Sequence, residues 1–166
     1  NKKICILLMD TQGLWDNQTK DEFNCSIFGL SSFLSSLMIF NQKNNINTDQ
    51  LKKFSILSQF SKDVVAKEGG KPFQHLDILL RDYEDYMRDY DVEKGVQLSQ
   101  ERLEEIRTGD IEGRAVREIE ECFNAFDLFC FPNPGGDVMD AGYKGVISEI
   151  KPQFLRMLSY YINRLI

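Results

Sequence analysis

Apolar residues in this chain fall into short continuous runs, separated by polar turns and by longer stretches with helical spacing. Residues 4–9 (I-C-I-L-L-M) are apolar throughout and end at Asp10, the pattern of a strand buried on both faces of a parallel sheet. Residues 37–40 are a second such run, and residues 76–80, apolar but for Asp77, read as a third strand ending at Arg81-Asp82. Residues 128–131 form a fourth run, followed by a loop over 132–141. Residues 11–19 and 41–47 are polar and turn-forming.

Helices are predicted between the runs. Over residues 22–34, Phe23, Ile27, Leu30 and Leu34 recur at helical spacing. Thr48 is placed to cap a helix whose apolar stripe is Leu51, Phe54, Leu57, Phe60, Val64 and Val65, and Gly69-Gly70 stops it. Residues 83–109 are strongly charged and are expected to be helical in their second half. Val116, Ile119, Cys122 and Phe123 mark a further amphipathic helix. The last helix carries Phe154, Leu158, Tyr161 and Leu165, with Pro152 tolerated in its first turn. Strands alternating with helices predict an α/β fold, a mostly parallel sheet flanked by helices. No repeat or low-complexity linker divides the chain, so a single domain is the simplest organisation.

Composition narrows the function classes. An apolar fraction of 42% supplies a core and argues against disorder. A formal net charge of −6 argues against broad attraction to nucleic acid or anionic lipid. It leaves phosphate binding open, because backbone N–H groups at a helix start hold anions whatever the net charge. The cysteines, Cys5, Cys25, Cys122 and Cys130, show no C-x-x-C pair; most have apolar neighbours, predicting buried thiols in a reducing, cytosolic setting. His75 is the single histidine, so a catalytic triad or a multi-histidine metal site has little to work with. No run approaches the roughly 18 apolar residues of a membrane span. The opening Asn-Lys-Lys is unlike a signal peptide, so the chain reads as soluble.

In open parallel sheets ligands bind beyond the carboxyl ends of the strands, and three predicted strand ends carry chemistry. Asp10-Thr11-Gln12-Gly13 is a D-x-x-G element: its Asp suits water-mediated Mg²⁺, and its Gly lets the backbone approach a phosphate. Arg81-Asp82 and Pro132-Asn133-Pro134-Gly135 end the other two runs. Each element alone has an ordinary alternative: a turn stabilised by Asp and Gly, or a surface ion pair. Trp15, just after the D-x-x-G, reads as a hydrophobic anchor more readily than as a ligand contact. The charged run from Tyr83 to Glu105 reads as a solvated helical face more readily than as a partner surface.

Taken together, Leu7 through Gly13, Phe28-Gly29-Leu30-Ser31, Ser35-Ser36, Lys71-Pro72-Phe73-Gln74 leading to Leu80-Arg81-Asp82, and Pro132-Asn133-Pro134-Gly135 closely resemble the atlastin family of dynamin-like GTPases. The resemblance spans nearly the whole chain and is weakest over residues 84–113. Guanylate-binding proteins share the D-T-x-G and R-D elements but match less well between them. The resemblance implies a P-loop GTPase (G domain) fold and, as cofactors, GTP/GDP and Mg²⁺. Asp10 would belong to the Mg²⁺ shell, and Gln12 and Gly13 to the phosphate side of switch II. Arg81 and Asp82 would read guanine, in place of the N-K-x-D of Ras-like proteins, with Val138 in the loop that caps the base. Ala141 stands where a polar cap residue is expected.

The sequence contains no G-x-x-x-x-G-K-[S/T] run, no switch I threonine segment and no phosphate-loop arginine. Residues 1–166 are therefore expected to be the C-terminal portion of one such G domain, from the switch II strand to the last helix, incomplete and inactive by itself. The parent protein would hydrolyse GTP and couple hydrolysis to homodimerisation through its G domain and to fusion of endoplasmic-reticulum membranes. It would sit on the cytoplasmic face of that membrane, held by segments outside this chain. Alternatives are a guanylate-binding-like protein of defence or scaffolding and a non-catalytic module that keeps the fold.

Overall fold

A computed structural model describes residues 5–11, 21–65, 70–136, 138 and 140–165. In chain order the elements are α1 (Asp21–Leu34), β1 (Met38–Lys43), α2 (Thr48–Val65), β2 (Phe73–Arg81), α3 (Val92–Thr108), α4 (Asp110–Glu120), β3 (Phe123–Cys130), a 3₁₀ turn (Ile147–Glu149) and α5 (Pro152–Leu165). The α/β reading holds: three parallel strands in the order β1-β2-β3, flanked by helices. Met38 pairs with Leu76 and Lys43 with Arg81, while Asp77 pairs with Asp127 and Leu80 with Cys130. This register brings the ends of all three strands to one edge of the sheet.

Alternation on β2 sorts its side chains. Leu76, Ile78 and Leu80 face a large core with Phe28 of α1, Leu51 and Phe54 of α2, and Val116 and Ile119 of α4. Phe28 sits edge-on to both Phe54 and Phe73, at centroid distances of 5.1 and 6.5 Å. The opposite face meets α5, where Phe129, Phe131, Met157 and Tyr161 form a second cluster with Leu79 beside it. Helix α3 lies against β3 and serves both clusters, Leu103 and Ile106 in the first and Val92 and Val96 beside the second. Each fully buried large side chain contributes about 1.5–3 kcal/mol, so the two faces together hold the sheet.

Local signals explain several boundaries. Asn47, and not Thr48, caps α2: its Oδ1 accepts from Gln50 N (2.9 Å) and Gln50 Oε1 accepts from Asn47 N (3.0 Å), a reciprocal capping pair. Thr48 Oγ1 instead donates to Glu112 of α4. Asp91 caps α3 by accepting from Lys94 N at 2.9 Å. A side chain on Gly113 would lie 2.2 Å from the Arg107 carbonyl oxygen, so the tight α3–α4 corner requires glycine there.

Two expectations are corrected. Residues 5–9, expected in a buried strand, pair with no strand, and Leu7 and Leu8 are almost fully exposed. An apolar run becomes a buried strand only with a hydrogen-bonded neighbour, and among the described residues β1 pairs with β2 alone. Cys122 and Phe123, expected on a helix, lie beyond it: α4 ends at Glu120 and Phe123 opens β3. Apolar helix and strand runs that abut with one turn between them share a pattern that periodicity cannot divide. No helix among the described residues is long and apolar enough to cross a membrane.

Candidate functional site

Past their last paired residues the strands turn sharply, and the turns expose polar groups. Asn44 (φ 61°) and Asp82 (φ 57°) both adopt the left-handed conformation that Asn and Asp tolerate better than most residues. Backbone bonds hold the turns in place: Asn44 N donates to Arg81 O (2.7 Å) and Tyr83 N to Phe131 O (2.9 Å). The side chain of Asp82 thereby faces the mouth of the sheet.

Asp82 is nearly enclosed, its side chain 10% exposed. Its Oδ1 accepts from Asn133 Nδ2 at 2.9 Å, and Asn133 Oδ1 in turn accepts from Gly135 N at 2.9 Å. The Pro-Asn-Pro-Gly segment after β3 thus orients the carboxylate after β2. Arg81 lies 3.4 Å from Asp82 Oδ2, a long contact made by a half-exposed guanidinium. A carboxylate oxygen has two acceptor sites, so the occupied Oδ1 and the loosely held Oδ2 can both still accept.

The carboxylate opens on a cavity of about 400 Å³ lined by Lys43, Asn44, Tyr83, Tyr86, Arg88, Asn133 and Lys151, among others. Burial pushes the Tyr83 hydroxyl up to about 12, so this hydroxyl stays protonated at ordinary pH. Tyr86 is buried against Gly95, where an added Cβ would lie 2.1 Å from the Tyr86 hydroxyl oxygen. Gln153 Nε2 donates to the carbonyl oxygens of Met87 (2.7 Å) and Tyr90 (2.8 Å), tying the start of α5 to the loop beneath the cavity. The site offers a planar double acceptor, a mixed aromatic and cationic wall, and room for a base-sized ring.

Of the residues singled out from sequence, Arg81, Asp82 and the Pro132–Gly135 segment come together here. Val138 lies beside Gly135, its Cγ2 3.7 Å from the position of a Cβ there. Asp10 is exposed among unpaired residues, and Gln12, Gly13 and Trp15 lie outside the described residues. Asp10 is in no cluster of three or more His, Cys, Asp or Glu ligand groups among the described residues. Sequence reasoning missed Asn133 as the group that orients Asp82. It also missed Asn44, Tyr86 and Lys151, whose only signal was proximity to strand ends or to a charged run. Of the cysteines, Cys122 and Cys130 are buried and in no disulfide, Cys5 is exposed, and the Cys25 side chain lies outside the description.

The family model described as guanylate-binding protein, N-terminal domain, matches residues 1–166. The atlastin of Drosophila melanogaster is 32% identical over 167 residues, 99% of this chain and 31% of that protein. Atlastin-3 of Mus musculus is 32% identical over 169 residues (98% and 31%), and atlastin-1 of Rattus norvegicus 30% over 164 residues (97% and 29%). The chain spans about a third of the length of the curated relatives it matches. These matches correct the reading of the chain as a C-terminal portion defined by a missing phosphate loop, since it is the N-terminal domain that matches, from the first residue to the last. That reading weighed the absence of a phosphate loop, its arginine and a switch I segment, whereas the match extends over all 166 residues.

Proposed function

The chain belongs to the guanylate-binding protein N-terminal domain family of GTPases, and from that premise we propose that the cavity beside Asp82 binds the guanine base. The observation that carries the reading is the enclosed Asp82 carboxylate, aimed by Asn133 into a base-sized cavity at the carboxyl ends of the strands. Guanine presents N1–H and an exocyclic amine side by side, a donor pair that the two carboxylate oxygens match. Adenine lacks that pair, and leaving a buried carboxylate without its donors makes the mismatch costly. Arg81 would flank the base from the exposed side, and Val138 would cover it. Asp10, Gln12 and Gly13 would act on the phosphate side, with GTP/GDP as ligand.

For the whole protein we infer GTP hydrolysis coupled to homodimerisation through this domain and to fusion of endoplasmic-reticulum membranes, with membrane contact through segments outside this chain. The matched relatives named above are atlastins, which favours that reading over a defence or scaffolding role. The discriminating experiment is competition of GDP and ADP for a fluorescent guanine nucleotide on the full-length protein and its Asp82→Asn variant. Asn keeps the left-handed backbone comfortable, so the change isolates one acceptor oxygen and its charge. A loss of about 1–3 kcal/mol in guanine binding is expected. Unchanged guanine affinity in Asp82→Asn would overturn the assignment.

A further inference from the structure

The face of the sheet beneath α5 carries a polar cluster that the nucleotide reading does not use. His75 and Asp77 alternate on β2 and so share a face, and Asp127 of β3 stands opposite Asp77 in the register. Asp77 is completely buried. Its Oδ2 accepts from the Tyr161 hydroxyl at 2.7 Å and lies 3.4 Å from Arg164 Nη1. Arg164 also bonds Asp127 Oδ2 and lies 4.9 Å from the Phe129 ring centre.

The other oxygen of Asp77, Oδ1, is buried with no hydrogen-bond partner. His75 Nε2 lies 3.1 Å from it and also 3.1 Å from Asp127 Oδ2, and is aligned with the latter. A ring nitrogen holds at most one proton, and His75 Nε2 is aligned with Asp127, so the ionised Asp77 is left with no donor at Oδ1. A cation among the three atoms would satisfy all of them at once. The three potential ligand atoms lie within 4.8 Å of one another. The two 3.1 Å separations are close to the spacing of about 3.3 Å between ligand atoms around a tetrahedral ion with bonds of about 2.0–2.1 Å.

We propose that His75 Nε2, Asp77 Oδ1 and Asp127 Oδ2 form a site for a divalent transition-metal ion of the Zn²⁺ class. One imidazole with two carboxylates suits such an ion better than Mg²⁺ or Ca²⁺, which favour all-oxygen shells. In the metal-bound form, with His75 neutral and both carboxylates ionised, the Arg164 guanidinium leaves one net negative charge facing the cation. Tyr161 and Arg164 hold Asp77 through its other oxygen, Oδ2, as outer-shell groups do in protein metal sites, while Arg164 also bonds the ligating Oδ2 of Asp127 and would share it with the ion. His75 and Asp127 are 28% and 39% exposed, which gives the ion a path in and leaves a fourth position for water. Bound there, the ion would join β2 to β3 and, through Tyr161 and Arg164, to α5. The site is about 13 Å along β2 from Arg81, by strand rise, and stands independently of the guanine reading.

The test is titration of the nucleotide-free, metal-stripped protein with Co²⁺ followed by visible absorption, and with Zn²⁺ followed by calorimetry. One equivalent of Co²⁺ should bind with the intense visible bands of a four-coordinate site, and Zn²⁺ should displace it. His75→Gln and Asp127→Asn lie on partly exposed positions and should keep the circular dichroism of the parent while losing at least about 100-fold in affinity. Tyr161→Phe removes only an outer-shell hydroxyl and should lose about 10–100-fold. Absence of the Co²⁺ bands at millimolar metal would overturn the proposal. So would equal binding in His75→Gln, which would place the metal elsewhere.

Discussion

Asn133, in the loop after β3, donates from Nδ2 to Asp82 Oδ1 at 2.9 Å, so the residue that aims the carboxylate of β2 comes from the neighbouring strand end. Removing the amide by Asn133→Ala would free the carboxylate to rotate and would leave Gly135 N without its bond to Asn133 Oδ1. Guanine-nucleotide affinity should fall about tenfold, near the low end for a hydrogen bond to a charged group. The preference for guanine over adenine should fall less than in Asp82→Asn, because both acceptor oxygens remain. Competition binding with GDP and ADP on both variants measures the difference.

Gly95 and Tyr86 form a second pair on which the cavity depends. An alanine Cβ at position 95 would lie 2.1 Å from the Tyr86 hydroxyl oxygen and 2.8 Å from Cζ. Tyr86 is buried and has little room to withdraw, so Gly95→Ala should destabilise the fold by about 1–3 kcal/mol, the range for overpacking. The closest clash is with the hydroxyl, so adding Tyr86→Phe should recover part of that loss. Urea unfolding of the two single variants and the double variant gives the coupling.

The sequence was most legible where an element satisfies itself locally. The buried runs at β2 and β3 and the first half of the α2 stripe, Leu51, Phe54 and Leu57, follow from patterns within a few residues, and each is present in the structure; Phe60, Val64 and Val65 have side chains outside the description. The run over residues 4–9 was misread because a strand requires a partner, and pairing is a property of two segments that one segment cannot show. Helix α1 was misread differently. Phe23, Leu30 and Leu34 suggested its inner face, yet Asn24, Phe28, Ser31 and Ser32 are the buried positions. A helix with apolar residues on more than one side has no unique orientation until its neighbours choose one. Asn133 and Asp127 were invisible as partners because their counterparts, Asp82 and Asp77, are about fifty residues away along the chain and meet them only through strand register.

Cysteine reactivity should separate the buried thiols from Cys5. Burial is the main cause pushing the Cys130 thiol up to about 12. At pH 8 its thiolate fraction is then roughly a thousandfold below that of a free cysteine near 8.5. Alkylation of the native protein with iodoacetamide should therefore modify Cys5, which is exposed, and spare Cys130 until the protein unfolds. Peptide mass analysis after native and denatured labelling checks this, and rapid native labelling of Cys130 would contradict its burial beneath α3.

The outward side of α1 gives the last expectation. Phe23, Leu30 and Leu34 follow one another at intervals of seven and four, so they line one stripe of the helix. All three are exposed, with Leu30 at 62% and Leu34 at 66%. Leaving such side chains in water forgoes about 1.5–3 kcal/mol each, so any surface that covers the stripe gains from doing so. The protein should accordingly show concentration-dependent self-association, reduced by Leu30→Glu together with Leu34→Glu. Both positions are outside the core formed by Phe28, so the double variant should keep the helical circular dichroism of the parent. Light scattering across a concentration series is the measurement. Association of the same strength in the parent and the charged variant would show that the α1 stripe is not the surface involved.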